Sequence, residues 1–125
     1  MAIIGLAAVT TTGCVFEARE APVHGTLLVD WTIAGSKHPG ACLDFAADSI
    51  DVIVRADDGW PVTEFGDYCE SFAASVELSP GTYRLEAVML DAEGVALTTA
   101  VTDRLRVYGW QTNVSAVDFP ADSFF

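Results

Sequence analysis

The sequence has few basic residues, with only 6 Lys and Arg against 18 Asp and Glu, and its formal net charge is −12. Binding to nucleic acid requires a cluster of Lys and Arg that neutralises phosphate groups. The composition therefore argues against nucleic acid as a partner. The hydrophobic fraction of 51% is large enough to form a core, and 125 residues are typical of one domain.

Charge is also missing from residues 1–13, where apolar and small residues run from Ala2 to Val9. This run is shorter than the roughly 20 apolar residues that span a bilayer, but it suits the apolar part of a secretion signal. The Thr11-Thr12-Gly13-Cys14 segment that follows resembles the bacterial lipobox, whose cysteine is acylated and becomes the new N-terminus. The alternative is a first strand over residues 3–9 and an ordinary thiol at Cys14.

These features predict three segments: a lipoprotein signal peptide at 1–13, a linker at 14–23 and a folded domain at 24–125. An acyl anchor on Cys14 would hold the domain at the membrane, because each buried methylene contributes about 0.8 kcal/mol. We therefore expect an exported protein that is anchored at the periplasm or outer membrane. Its expected partners are the membrane, through the lipid, and an envelope protein or glycan.

Cysteine is scarce as well, with three in the chain. If Cys14 is acylated, Cys42 and Cys69 remain as a pair in an exported protein, where disulfides persist. The alternatives for these two residues are a metal site or a catalytic thiol. Apart from acidic residues, His38 is the only residue near Cys42 that can bind a metal, and neither cysteine has a second Cys or His at zinc-finger spacing. We therefore favour the disulfide.

A predicted hairpin supports this pairing. Alternating apolar residues predict a strand over Ser49–Arg55, Asp57-Asp58-Gly59 is typical of a turn, and Trp60–Phe65 predicts the returning strand. The segments before and after such a hairpin meet at one end. Cys42 and Cys69 lie in those two segments.

Apolar alternation recurs along the rest of the chain, with turn residues between the runs. No run predicts a helix longer than the single turn expected over Ala41–Ala47. The fold class is therefore all-β, a seven-stranded antiparallel β-sandwich of immunoglobulin-like or prealbumin-like type. The predicted strands are Gly25–Ile33, Ser49–Arg55, Trp60–Phe65, Ser71–Leu78, Thr82–Leu90, a long or broken strand over Val95–Val107, and Gln111–Phe119.

Several of these segments together resemble small bacterial lipoproteins of myxobacterial type. The resemblance rests on Gly25–Thr32, Ser49–Val54, Leu78–Tyr83, Asp91–Gly94 and Val117–Phe119, with a cysteine on each side of the second segment. The central part is similar to transthyretin-like and carboxypeptidase-regulatory-like sandwiches. The resemblance covers about 95 residues and implies a fold and a compartment. It implies no catalytic residues.

The residues for catalysis are few. His24 and His38 are the only histidines, and no Gly-x-Ser-x-Gly segment is present. Acidic residues are so numerous that a glycosidase-like pair cannot be told from a solvated surface. We therefore expect no enzyme activity and no cofactor, with weak Ca²⁺ binding as the exception considered below.

Exposed aromatic residues offer a candidate ligand surface. Trp60, Tyr108 and Trp110 flank predicted turns, where they can stack against sugar rings. The alternative is that they cover a sheet edge. Trp31, by contrast, lies in phase with Leu27 and is expected in the core.

Acidic turns offer a second candidate site. Asp57 and Asp58 in one turn, and Asp91 and Glu93 in another, carry the oxygen ligands that Ca²⁺ prefers. Neither turn matches the EF-hand pattern, and both are also ordinary hairpin turns.

The function favoured by the sequence is that of a non-catalytic cell-envelope lipoprotein whose sandwich is a binding or structural accessory domain. The alternative is a secreted carbohydrate- or calcium-binding module. A small hydrolase is the least favoured interpretation.

Overall fold

The structure is a computed structural model that describes residues 23–125. The predicted signal peptide, the linker up to residue 22 and Cys14 lie outside the described residues. The described part forms seven strands in two sheets, ordered β4-β1-β7 and β3-β2-β5-β6. This confirms the predicted all-β sandwich. The strands are β1 (Gly25–Ile33), β2 (Ser49–Ala56), β3 (Pro61–Tyr68), β4 (Ala73–Leu78), β5 (Gly81–Leu90), β6 (Val101–Val107) and β7 (Thr112–Phe119).

The strand pairing is antiparallel except between β1 and β7. These two strands run parallel, in a register that places Thr26 beside Thr112 and Ile33 beside Phe119. Antiparallel pairing was expected throughout, and the smaller sheet is instead mixed. Apolar alternation has the same period in both kinds of pairing, so it does not distinguish them.

The core lies between the two sheets and follows the alternation of the strands. Leu27, Val29, Trp31 and Ile33 on β1 are fully buried, and the intervening residues face outward. The indole Nε1–H of Trp31 donates to the carbonyl oxygen of Cys69 at 3.0 Å. This bond satisfies the only polar group of the indole and confirms Trp31 as a core residue.

A disulfide joins Cys42 to Cys69, as predicted. Cys42 lies on a short helix, α1 (Pro39–Asp44), and Cys69 begins a 3-10 helix, Cys69–Ser71. Both cysteines are fully buried. Disulfides persist in oxidising compartments, so this bond indicates an extracytoplasmic environment.

His38 caps α1. Its Nδ1 accepts the backbone N–H of Gly40 at 3.0 Å, which satisfies one of the free N–H groups in the first turn. The helical turn predicted over Ala41–Ala47 is therefore present but begins earlier, at Pro39.

The long or broken strand predicted over Val95–Val107 is a broken one, and regular pairing begins only at Val101. Before it, Thr98 is buried, and its Oγ1 accepts the backbone N–H of Met89 at 3.2 Å. The same residue forms an isolated bridge with Phe124, whose ring stacks on Phe45 at 4.3 Å. The C-terminal segment thus pairs with the backbone around Thr98, as a neighbouring strand would.

The two ends of the sandwich differ. We call the end where β1 begins the entry end; it also carries the β2–β3, β4–β5 and β6–β7 turns. The disulfide closes the other end, which we call the disulfide end. Within residues 23–125, no helix is long and apolar enough to cross a membrane.

Candidate ligand-binding surface

The β6–β7 turn at the entry end is held by a buried amide. The Oδ1 atom of Asn113 accepts the backbone N–H of Tyr108 at 3.0 Å. Its Nδ2 lies 3.1 Å from the carbonyl oxygens of Thr26, Tyr108 and Gln111, and donates to them. One side chain therefore fixes the turn and attaches it to β1.

Trp110, in this turn, has a strained backbone. Its φ angle is 62°, in the left-handed region that costs a residue with a Cβ atom about 1 to 2 kcal/mol. The Trp110 N–H donates to the carbonyl oxygen of His24 at 2.9 Å. The side chain is 79% exposed, so burial does not offset the strain. Strain of this kind is maintained by surrounding structure and is common at ligand sites.

A depression of about 310 Å³ lies beside the indole. We call it the Trp110 depression. Its other lining residues are polar: His24, Thr26, Glu77, Gln111 and Thr112.

Strand register explains this lining. Thr26 on β1 lies beside Glu77 of β4 on one side and beside Thr112 of β7 on the other. These positions face outward, and the Thr26 hydroxyl donates to Oε2 of Glu77 at 3.3 Å. The depression thus combines an exposed aromatic ring with hydroxyl, amide, imidazole and carboxylate groups, which suits a polar ligand that has one apolar face.

The other two aromatic residues of the predicted surface are also exposed. Trp60 is 73% and Tyr108 is 53% exposed, and both lie at the entry end with Trp110. Trp60, however, precedes β3, at the opposite edge of the larger sheet from β6. It lines a separate depression with Asp58 and Gly59. The structure therefore places the three aromatics at one end, but Trp110 and Trp60 line separate depressions and Tyr108 lines neither of these two.

The acidic turns lie at opposite ends of the sandwich. At the entry end, Asp57 pairs with Arg104 at 2.9 Å, and Oδ1 of Asp58 accepts the backbone N–H of Trp60 at 3.1 Å. At the disulfide end, Oδ1 of Asp91 accepts the N–H groups of Glu93 and Val95 at 2.9 Å. The bonds of Asp58 and Asp91 are those of ordinary turns, and the Asp57 carboxylate is paired with an arginine of β6. Among residues 23–125, no three His, Cys, Asp or Glu side chains cluster as metal ligands do.

One carboxyl group on the outer face of the larger sheet has a perturbed pKa. Partial burial raises the pKa of Asp51 to about 6, together with a hydrogen bond that the protonated Asp51 carboxyl donates to the neighbouring Glu64 and repulsion by the Glu64 charge. Asp51 lies on β2 and Glu64 on β3, which pair directly.

Comparison with known proteins gives a likeness of fold. No family model matches the sequence, and no curated protein matches it. Among solved structures, the chain is similar to one of the "putative polysaccharide binding proteins (DUF1812)" of Bacteroides thetaiotaomicron, with a TM-score of 0.51 and 12% identity. The match covers 74% of this chain and 46% of that one.

A leucine-rich repeat protein of the same organism has a TM-score of 0.49 and 17% identity over 98% of this chain and 16% of its own. The chain thus spans less than half the length of either protein. At these identities, the first likeness shows the sandwich fold alone.

Proposed function

We propose that this chain is an extracytoplasmic, non-catalytic binding domain that takes a carbohydrate ligand at the Trp110 depression. The observation that carries the proposal is the exposed indole of Trp110, held in a strained conformation beside a polar depression. Strain of this kind is common at ligand sites, and at Trp110 it fixes a large aromatic side chain in an exposed position where a ligand can cover it.

The chemistry of the depression supports a sugar. A sugar ring has a face of C–H groups, which packs against an exposed indole, and a rim of hydroxyl groups, which hydrogen-bonds to polar side chains. Glu77 supplies a carboxylate, Gln111 an amide and Thr112 a hydroxyl beside the Trp110 ring. The fold neighbour described as a polysaccharide binding protein supports the same ligand class.

We also propose that the domain is attached to the membrane through an acylated Cys14. The lipobox-like Thr11–Cys14 segment and the oxidising compartment indicated by the disulfide support this. Residues 14–22 reach at most about 30 Å when fully extended, so a tether there would keep the entry end close to the membrane. An envelope glycan is then the carbohydrate most accessible to the Trp110 depression.

The experiment that tests the proposal is a screen of the purified protein on immobilised neutral and acidic glycans, followed by calorimetric titration of the best ligand. Trp110→Ala should weaken binding at least about tenfold, because it removes the stacking surface. Trp60→Ala is the matched control: it removes an equally exposed indole at the same end and should leave the affinity within about twofold. Absence of binding to any glycan, or unchanged binding by Trp110→Ala, would overturn the proposal.

A further inference from the structure

Three arginines lie side by side on the outer face of the larger sheet. Arg55 on β2 is directly beside Arg84 on β5, and Arg84 is directly beside Arg104 on β6. We call these three residues the arginine row. Neighbouring strands are about 4.8 Å apart, and like charges placed directly opposite each other destabilise a sheet.

This arrangement is unexpected in so acidic a chain. Residues 23–125 contain five Lys and Arg, and four of them are the arginine row and Arg106, which follows Arg104 on the same face of β6. The acidic residues offer many positions at which these cations could be separated and paired. Their concentration on one face therefore requires an explanation other than overall charge balance.

The ion pairs on this face neutralise the row only in part. Arg55 pairs with Glu86 at 3.2 Å, and Arg104 pairs with Asp57 at 2.9 Å. Arg84, the central member, is exposed and has no ion pair within residues 23–125. Exposed ion pairs contribute little to stability, so a purely structural role does not account for the row.

The row borders a second depression, which lies on the other sheet from the Trp110 depression. A depression of about 310 Å³ lies between Arg84 and Arg104 and is also lined by Leu85, Glu86, Thr102 and Asp103. Farther along β6, the Arg106 guanidinium lies 5.5 Å from the centre of the Tyr108 ring, in the turn that presents Trp110. Basic and aromatic residues thus follow one another along β6 into the turn that carries Trp110.

We infer that the arginine row binds the carboxylate groups of an acidic polysaccharide that also occupies the Trp110 depression; this inference rests on the proposed function. A guanidinium group presents paired N–H donors that match a carboxylate, which makes arginine suited to uronic acid residues. The row provides such donors repeatedly across three strands. A linear chain with acidic sugars that follows β6 around the edge of the sandwich would contact the guanidinium groups and then the indole.

The test compares matched ligands with and without charge. The full chain is titrated with hexasaccharides of galacturonic, glucuronic and mannuronic acid and with their methyl esters, which keep the sugar backbone but lose the negative charge. At least one acid should bind about tenfold more tightly than its ester, and the difference should shrink as salt is raised. Arg84→Gln should reduce the preference for acid over ester at least about threefold and leave ester binding unchanged.

Lys37→Gln is the matched control, because it removes one positive charge at the other end of the sandwich and should leave the preference intact. Equal binding of acid and ester, or an unchanged preference in Arg84→Gln, would overturn the inference and leave the proposed function standing. Binding to phosphatidylglycerol vesicles that requires Arg84, without a preference for acidic sugars, would also overturn it. Failure of all these saccharides to bind would overturn the inference, and the proposed function would fall as well only if the wider glycan screen also found no ligand.

Discussion

Asn113 and Tyr108 bond to each other twice: the Tyr108 N–H donates to Oδ1 of Asn113 at 3.0 Å, and Nδ2 of Asn113 donates to the Tyr108 carbonyl oxygen at 3.1 Å. This reciprocal pair closes the β6–β7 turn that presents Trp110. The presentation of the exposed indole therefore depends on a buried amide.

Replacement of this amide should destabilise the protein. Asn113→Ala leaves buried backbone groups without partners, and we expect a loss of about 2 kcal/mol in the free energy of unfolding. Denaturant unfolding measures the change. Val114→Ala, at an exposed neighbouring position on β7, is the control and should change stability by less than about 0.5 kcal/mol. Equal effects of the two variants would show that Asn113 does not hold the turn.

Relief of the backbone strain at Trp110 should have opposite effects on stability and on ligand binding. Trp110→Gly relieves the left-handed conformation and should raise the free energy of unfolding by about 1 kcal/mol, while carbohydrate binding is lost. Trp60→Gly is the comparison, since the φ angle of Trp60 is not positive and no strain is relieved there. A Trp110→Gly variant less stable than the parent protein would contradict the role given to strain.

The disulfide should contribute strongly to stability. Cys42 and Cys69 are 27 residues apart, and a bridge over a loop of this length stabilises a fold by about 3 to 4 kcal/mol through restriction of the unfolded chain. Unfolding of a Cys42→Ala, Cys69→Ala double variant should show this loss under oxidising conditions. Under reducing conditions, the parent protein should lose a similar amount and the double variant should not change. Equal stability of the two proteins under oxidising conditions would contradict this.

Asp51 should make stability depend on pH. Its pKa is raised in the folded protein, from 3.8 to about 6, so the folded state holds a proton that the unfolded state releases. Stability should therefore fall as the pH rises from about 4 to above 6. Melting temperatures of the protein and of Asp51→Asn should converge near pH 3.5 and diverge at pH 7.5, with the variant the more stable. A difference that does not change with pH would show that Asp51 titrates normally.

Acylation of Cys14 has a direct chemical test. Mass spectrometry of the protein isolated from its native membrane should give a mature chain that begins at a diacylated or triacylated Cys14. An intact Met1, or an unmodified thiol at Cys14, would contradict the lipid anchor. A Cys14→Ala variant should then be released from the membrane fraction.

Much of the fold was predictable because period-two alternation marks each strand independently of its partners. The strand over Gly25–Ile33 and the pairing of Cys42 with Cys69 were both predicted, the latter from the geometry of one hairpin. The parallel pairing of β1 with β7 was not, since it joins the two ends of the domain sequence and leaves no local pattern.

The candidate site was predictable only in part, for the same reason. Trp110 was identified because a large aromatic residue stood beside a turn. Glu77 and Thr26 were missed, since they meet only through the register of β4 and β1. The arginine row could not be predicted either, because its members come from three strands and meet only through strand pairing. The sequence itself shows only that basic residues are few.

The most direct test of the central claim is the ¹H–¹⁵N spectrum of the three tryptophan indole groups during titration with the bound glycan. The Trp110 signal should shift in step with binding. The signals of buried Trp31 and of Trp60, in its separate depression, should stay in place. Saturable binding that leaves the Trp110 signal unmoved would contradict the assignment of the Trp110 depression as the carbohydrate site.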